Sequence, residues 1–269
     1  VPVVREFFGQ RLAQKLVFEG MQADLIAGNN VYAHVPDIND FTAGISQLLK
    51  NTGTVTLEFP HLVKLIKHNQ FDTIYHEHFS YLSLTTVKNI FSKYNLDVYD
   101  VEELPTHGGS LRIYGSHTSL SKKITNNVKN ILLQEEEFGI KEISTYTSFQ
   151  KKIEIVASDF VRYIKDAKNK NLKIAGYGAA AKGNTLLNFS KISNKEIDFV
   201  CDASPLKINT LLPGSHIPVH DISALSKYKP DIIIILPWNI SREIVNILNN
   251  VNNWGAVYVS FIPSTINHK

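Results

Sequence analysis

The sequence has 269 residues, 43% of them hydrophobic, enough to bury the cores of two ordinary α/β domains. Its 28 basic and 25 acidic side chains leave a formal charge of +3 without any basic block. That balance does not argue for a nucleic-acid or membrane partner, although it suits a small anionic substrate. The single cysteine, Cys201, excludes an internal disulfide framework and a cysteine zinc knuckle, and reads as a small buried residue at a strand end. No apolar run approaches membrane-spanning length and the first residues do not form a signal peptide, so a cytoplasmic protein is expected. The chain opens on Val-Pro-Val-Val-Arg without methionine and reads as a fragment.

In chain order, Val3 to Phe8 is β-branched enough for a strand, and Gln10 to Glu19 has helical periodicity ending at Gly20. Asp24-Leu-Ile-Ala-Gly-Asn-Asn30 is a short apolar run that stops at a polar pair, as a buried parallel strand does at its carboxyl end. Ligands of open α/β sheets collect there, which singles out Asn29 and Asn30. A loop with Tyr32, His34, Pro36 and Asp37 leads to a helix from about Asn39 to Leu49 and the strand Gly53 to Pro60.

The stretch FDTIYHEHFSY, from Phe71 to Tyr81, is the most informative in the chain. A packed core has no need of Tyr75, His76, Glu77, His78 and Tyr81 so close together, because each polar atom costs free energy when buried alone. A reaction centre does. His76-x-His78 is also a spacing that metal sites on strands use, with His34, His61 or His107 as distant company. No third ligand is suitably spaced, and no metal is expected. A helix through Tyr94, a strand from Asp97 to Glu103, the His107-Gly-Gly109 turn and a strand from Ser110 to Tyr114 follow. The Gly108-Gly109 turn permits a tight bend or brings backbone amides against a substrate; with Ser110 and Arg112 next in line, the second reading adds Arg112 to the substrate side.

Leu120 to Phe138 and Ser144 to Asn169 are helical patterns without proline, read as a connector. Leu172 to Gly178 then runs as a strand into a glycine turn, and AAAKGNTLLNF opens a helix directly behind it. Unpaired amides and the helix dipole at such a start favour an anion, with a diphosphate as the expected guest and Gly178, Lys182 and Asn184 around it. A tight turn with small residues for packing is the plainer alternative. GYGAAAKG matches neither the dinucleotide fingerprint nor the Walker loop. The α/β rhythm continues through strands at Ile197 to Asp202, Asp231 to Leu236 and Gly255 to Phe261, with helices at Ile222 to Tyr228 and Arg242 to Asn250. Asp202 is placed to meet a ribose, with Lys207, His216 and the Pro237-Trp238-Asn239 corner expected at the other carboxyl ends. Trp238 either stacks on a base or closes the core beneath its loop. The strand runs beginning at Asp24 and Gly53 have echoes at Asp231 and Gly255, which suggests two similar sheets with a cleft between them.

Four blocks, NNVYAHVPDINDF, LEFPHLVKLIKHNQFDTIYHEHFSYLSL, ELPTHGGSLRIYG and IAGYGAAAKGNTLLN, resemble the sugar-nucleotide C-methyltransferases, which methylate a carbon next to a ketone on nucleoside-diphosphate deoxysugars. The resemblance implies two Rossmann-like domains in an α/β fold: a partial methyltransferase sheet over 1–116, a helical connector over 117–170 and a sugar-nucleotide-binding domain over 171–269. It implies S-adenosylmethionine as cofactor, with Asn29, Asn30 and Val31 on its side, and a dTDP-linked keto-deoxysugar as partner. Carried over by motif, His78 is the base, Tyr75 the enolate stabiliser, Glu77 the carboxylate that orients the imidazole and His34 a second ring facing the sugar. Glu77 serves that role only if the chain turns between it and His78, since neighbours in an extended segment point apart.

The family ordinarily opens with a cysteine-ligated zinc domain and the glycine-rich loop that grips S-adenosylmethionine, and neither is in this sequence. The strand at Asp24 is therefore expected to be a sheet edge, Val3 to Phe8 to be unpaired, and residues before Gly20 to be displaced. The isolated chain is expected to bind the donor poorly and not to turn over. Two competing classes are an NAD(P)-linked oxidoreductase built on the GYG turn and a non-catalytic nucleotide-sugar binding module.

Overall fold

The computed structural model describes residues 3–250 and 252–268. The chain divides into two compact units, Val1–Leu65 with His76–Thr145, and Ile66–Tyr75 with Tyr146–Lys269. Each is an α/β fold around its own sheet. Among the described residues, no helix is long and apolar enough to cross a membrane.

The first unit runs α1 (Gln10–Phe18), β1 (Ala23–Asn29), α2 (Ile38–Leu48), β2 (Leu49–Pro60), α3 (Leu62–Lys67), α4 (Leu84–Lys93), β3 (Leu96–Leu104), β4 (Ser110–His117) and α5 (Asn126–Glu137), the chain leaving it within α3 and returning at His76. Its strands lie in the order β1-β2-β4-β3, with β1 parallel to β2 and the other pairs antiparallel. As expected, β1 is an edge, with Leu25 60% exposed. Residues 3–8 form no strand, and the Phe7 side chain stands in solvent. No described strand pairs with them, and the outer edge of β1 is left open. The segment from Gln10 is nevertheless not displaced. Leu12 and Ala13 of α1 are buried, and α2 passes so close that a Cβ on Gly44 would stand 2.7 Å from the Gly9 carbonyl carbon.

Tyr32, Phe59 and Phe91 are fully buried at the centre of this unit, with Tyr32 6.3 Å and 6.4 Å from the other two rings. The Tyr32 hydroxyl reaches Thr42 Oγ1 at 2.7 Å, so its polar end is satisfied inside the core. Burial pushes its phenol well above the usual tyrosine range, and it stays neutral. The residue next to the reaction stretch is fixed differently. Ser83 caps α4 by accepting from Thr86 N at 3.0 Å, and the buried Glu135 of α5 accepts from Leu84 N, Thr85 N and Thr85 Oγ1 at 2.6–2.8 Å. His61, equally buried at the end of β2, donates from Nε2 to Glu135 Oε1 at 2.9 Å.

The second unit takes α3's last residues and the segment to Tyr75, then α6 (Ile143–Asn169), β5 (Ile174–Tyr177), α7 (Ala181–Phe189), β6 (Phe199–Cys201), β7 (Val219–His220), α8 (Ser223–Tyr228), β8 (Ile232–Ile235), α9 (Ser241–Asn249), β9 (Val257–Ser260) and β10 (Ile266–His268). The sheet order is β10-β9-β8-β5-β6-β7, parallel except for β10. Successive strands step one way from β5 to β6 and β7, then back across it to β8 and β9. This is a doubly wound sheet with its switch point between β5 and β8. The unanticipated strands, β7 and β10, are two and three residues long, too short for any alternation to show.

Burial alone would raise the Glu135 carboxyl; the bond from His61 and those from Thr85 and Leu84 outweigh it and hold the group below its ordinary value of 4.5. Its contribution to stability is thus complete above pH 4.5 and is lost as the pH falls through the depressed value. Glu135→Gln is expected to cost about 3 kcal/mol at neutral pH, the scale for breaking a buried charged pair. Urea unfolding at pH 7 and again at pH 3 is the measurement: the gap between the two proteins is expected to shrink at the acid end.

Candidate functional site

In the first unit the carboxyl end of β1 turns at Asn30, whose φ of +53° breaks the strand. Its amide donates to Glu58 O at 3.0 Å. Of the three residues expected on the cofactor side, Asn29 is exposed at the strand end, Asn30 Nδ2 stands 2.6 Å from His107 Nε2, and Val31 packs against the core. Asn30 and the 106–108 turn are thereby brought together.

The next turn, Tyr32–His34, presents the Ala33 carbonyl to two amides at once, Phe79 N at 2.9 Å and Ser80 N at 3.1 Å. This double bond to one oxygen lays the second half of the reaction stretch along the first turn. The His34 and His78 rings consequently lie 4.6 Å apart at 59°, and Tyr81 stands edge-on to His78 at 6.2 Å. His34 Nδ1 donates to the Glu77 carbonyl at 2.9 Å, which fixes the tautomer and leaves Nε2 with a lone pair. Glu77 thus orients an imidazole, but through its backbone and toward His34, while its side chain is exposed. The chain crosses between units after Tyr75, so Tyr75 belongs to the second unit and His76 onward to the first.

Arg112 is occupied. Its guanidinium meets Glu58 Oε2 at 2.9 Å and Glu102 Oε2 at 3.6 Å. Glu58 is buried and also accepts from Thr106 Oγ1 at 2.8 Å, which ties the 105–109 loop to β2. Arg112, expected on the substrate side, is thus ion-paired with Glu58, a partner that sequence reasoning missed. A charged residue ending the apolar run TVTLEF was its signal.

In the second unit the switch point carries most of the remaining candidates. Gly178 has φ +97°, and a Cβ there would collide with the Pro237 ring at 2.3 Å, so close packing accounts for the glycine. Asp202 Oδ2 accepts from Ala179 N at 2.7 Å and from Lys207 Nζ at 3.4 Å, and Oδ1 from Ser204 N at 2.8 Å. An internal carboxylate therefore takes the first amide of the turn, and both Asp202 and Lys207 are engaged with it. His216 precedes β7, at the amino edge of the parallel sheet, and does not line up with the carboxyl-edge residues as expected.

Behind the turn, Lys182 donates to Asn239 Oδ1 at 3.2 Å and lies 4.8 Å over the Trp238 ring. Trp238 Nε1 donates to Asp72 Oδ2 at 2.7 Å. Burial holds the Lys182 ammonium below its usual range, against the opposing pull of the Asp72 charge. Burial pushes the Asp72 carboxyl up to about 7, although the Trp238 N–H and Lys182 pull the other way. The Asn184 Oδ1 atom is buried without a hydrogen-bond partner. Asp72 escaped sequence reasoning because it sits beside Phe71, where an acid reads as a loop residue. Two grooves of about 670 Å³ run along α6 by Lys165 and Lys191, and no candidate residue lines them.

Residues 105–263 match the family model described as the C-methyltransferase C-terminal domain, and residues 5–101 match a methyltransferase domain. The chain belongs to the C-methyltransferase family. It is 36% identical over 241 residues to C-methyltransferase NovU of Streptomyces niveus, covering 90% of this chain and 57% of that protein, so it spans little more than half the relative's length. The crystal structures of M1.HpyAVI and of its SAM complex align at TM-scores of 0.26 and 0.29, with 9% and 8% identity, over 39% and 43% of this chain and 49% and 53% of theirs. Similarity that slight bears on neither fold nor chemistry. The family uses S-adenosylmethionine, and membership favours methyl transfer over the NAD(P)-linked alternative.

If Asp202 closes the turn as described, Asp202→Ala is expected to speed hydrogen exchange at the Ala179 and Ser204 amides at least tenfold, with α6 amides unchanged. Exchange followed by mass spectrometry or NMR checks this directly.

Proposed function

We propose that this chain serves S-adenosylmethionine-dependent methylation of a carbon next to a ketone on a nucleoside-diphosphate deoxysugar, of the dTDP-linked keto-sugar class, with His78 as the base. The observation that carries the reading is the His34–His78 ring pair, framed by the Ala33 carbonyl at the carboxyl side of β1.

A carbon acid next to a ketone needs a base of near-neutral pKa and a donor for the oxyanion. His78 takes the α-proton onto a ring nitrogen, the C–H electron pair forming the enolate. His34, its tautomer set by the Glu77 carbonyl, faces the sugar with the acceptor Nε2. The Tyr75 hydroxyl donates to the enolate oxygen. Bound S-adenosylmethionine supplies an electrophilic methyl group, and Asn29, exposed at the end of β1, together with Asn30 fits a polar contact to it.

Lys182, Asn184, Trp238 and Asn239 take the nucleotide portion. The half-buried Lys182 ammonium suits a diphosphate, and the Asn184 Oδ1, which has no hydrogen-bond partner among the described residues, suits a donor from sugar or base. Gly178 and Asp202 hold the turn beneath them.

In the intact protein, His78→Asn is expected to slow deuterium incorporation from solvent into a dTDP-keto-deoxysugar, and methyl transfer with it, by about 10²–10⁴-fold, the range for a general base. Calorimetric affinity for the sugar nucleotide is expected to stay within a few-fold of wild type. A variant that still exchanges the α-proton at the parental rate would remove His78 from the base role.

A further inference from the structure

Asp72 has no part in the chemistry just described, yet its placement is specific. The residue is 1% exposed, and among the described residues its buried Oδ1 has no hydrogen-bond partner. It sits on the 3₁₀ turn Phe71–Thr73, which Phe71 fastens to α7 by a ring contact with Phe189 at 5.0 Å. The other oxygen holds the Trp238 indole N–H at 2.7 Å, and Lys182 lies over the face of the same indole.

A hydrogen bond to the edge of an aromatic ring fixes its plane, and a cation over its face is in turn placed by that plane. Asn239, next in the chain, holds the ammonium from the other side at 3.2 Å. Three residues thereby form a relay from Asp72 to the Lys182 ammonium. We propose that Asp72 is a positioning residue: through Trp238 it sets the orientation of Lys182 for the diphosphate of the nucleotide sugar. The role rests on the reading of this corner as the nucleotide site.

The groups around Asp72 make the relay sensitive to its protonation. From α7 it faces the Lys182 cation, from the 237–239 corner the uncharged Trp238 indole, and on its own turn the uncharged backbone amides of Asp72 and Thr73. An ionised carboxylate grips an N–H more strongly than a neutral one, and it alone offers Lys182 a countercharge. With the carboxyl lifted to about 7, the ionised form prevails above that value and is lost as the pH falls through it.

Two readouts test this in the intact protein. The emission of Trp238, taken as the difference between wild type and Trp238→Phe, is expected to titrate with a midpoint near neutral pH and to be flat in Asp72→Asn. For dTDP, used as the probe, affinity is expected to fall about tenfold in Asp72→Ala and to be restored only in part in Asp72→Asn, which keeps an acceptor for the indole but offers Lys182 no countercharge. A wild-type protein that binds dTDP while its Trp238 emission stays flat between pH 5 and 9 overturns the role of Asp72 alone. Emission that titrates in a protein without affinity for dTDP overturns the nucleotide site, and the proposed role with it.

Discussion

The geometry of the functional stretch depends on the burial of carboxylates that have been given enough donors to stay ionised or useful. At its far end Glu135 takes two backbone amides, a hydroxyl and an imidazole, which anchors Leu84 and Thr85 and, through His61, the end of β2. At its near end Asp72 takes the Trp238 indole inside the second unit. Between them the Ala33 carbonyl gathers Phe79 and Ser80. A segment held by such bonds has already lost conformational entropy in the folded chain, a cost that the base proposed here would not have to meet during the reaction. The same donors explain why no acid in this set is a bare buried charge, the arrangement that would be most costly.

Much of the architecture was legible because it rests on periodicity. The helices at Ile38–Leu48, Leu84–Lys93, Ile143–Asn169 and Ser241–Asn249 and the strands from Ala23, Leu96, Ile232 and Val257 all lie within a few residues of where apolar spacing and capping residues place them. The strand expected at Val3 to Phe8 failed because β propensity has no meaning without a partner strand, and the sequence around it carried no sign of one. β7 and β10 failed through brevity.

The site divides along similar lines. Candidates crowded into one segment stand out in the sequence: Tyr75, His78 and Glu77 do so because no core requires them. Those assembled from distant segments do not. Nothing near Glu58 announces that Arg112, fifty-four positions on, will neutralise it, and nothing near Asp72 points to Trp238, which lies 166 positions away. Glu77 is the intermediate case. Its neighbourhood to the histidines was plain, but whether side chain or carbonyl would face them depended on a turn that only the Ala33 bonds impose.

The glycine turn of the second unit shows how an anion site is divided between backbone and side chains. Helix amides behind a strand favour negative charge, but here the negative charge at Ala179 belongs to the protein, since Asp202 fills that position at 2.7 Å. An acid built into the turn satisfies the amide and stabilises the loop through Ser204 and Lys207, yet it repels a phosphate brought to the same place. On the proposed reading of this corner, the attraction that holds a diphosphate comes from a cation further along α7, and Lys182, half-desolvated and steadied by an aromatic face, is the group in that position. Gly178 fits the same division, since the space left by its missing side chain is filled by Pro237, which also starts the corner bearing Trp238 and Asn239. In the proposed site, preference for an anion would then reside in side chains whose placement depends on packing, with the backbone turn holding those side chains together.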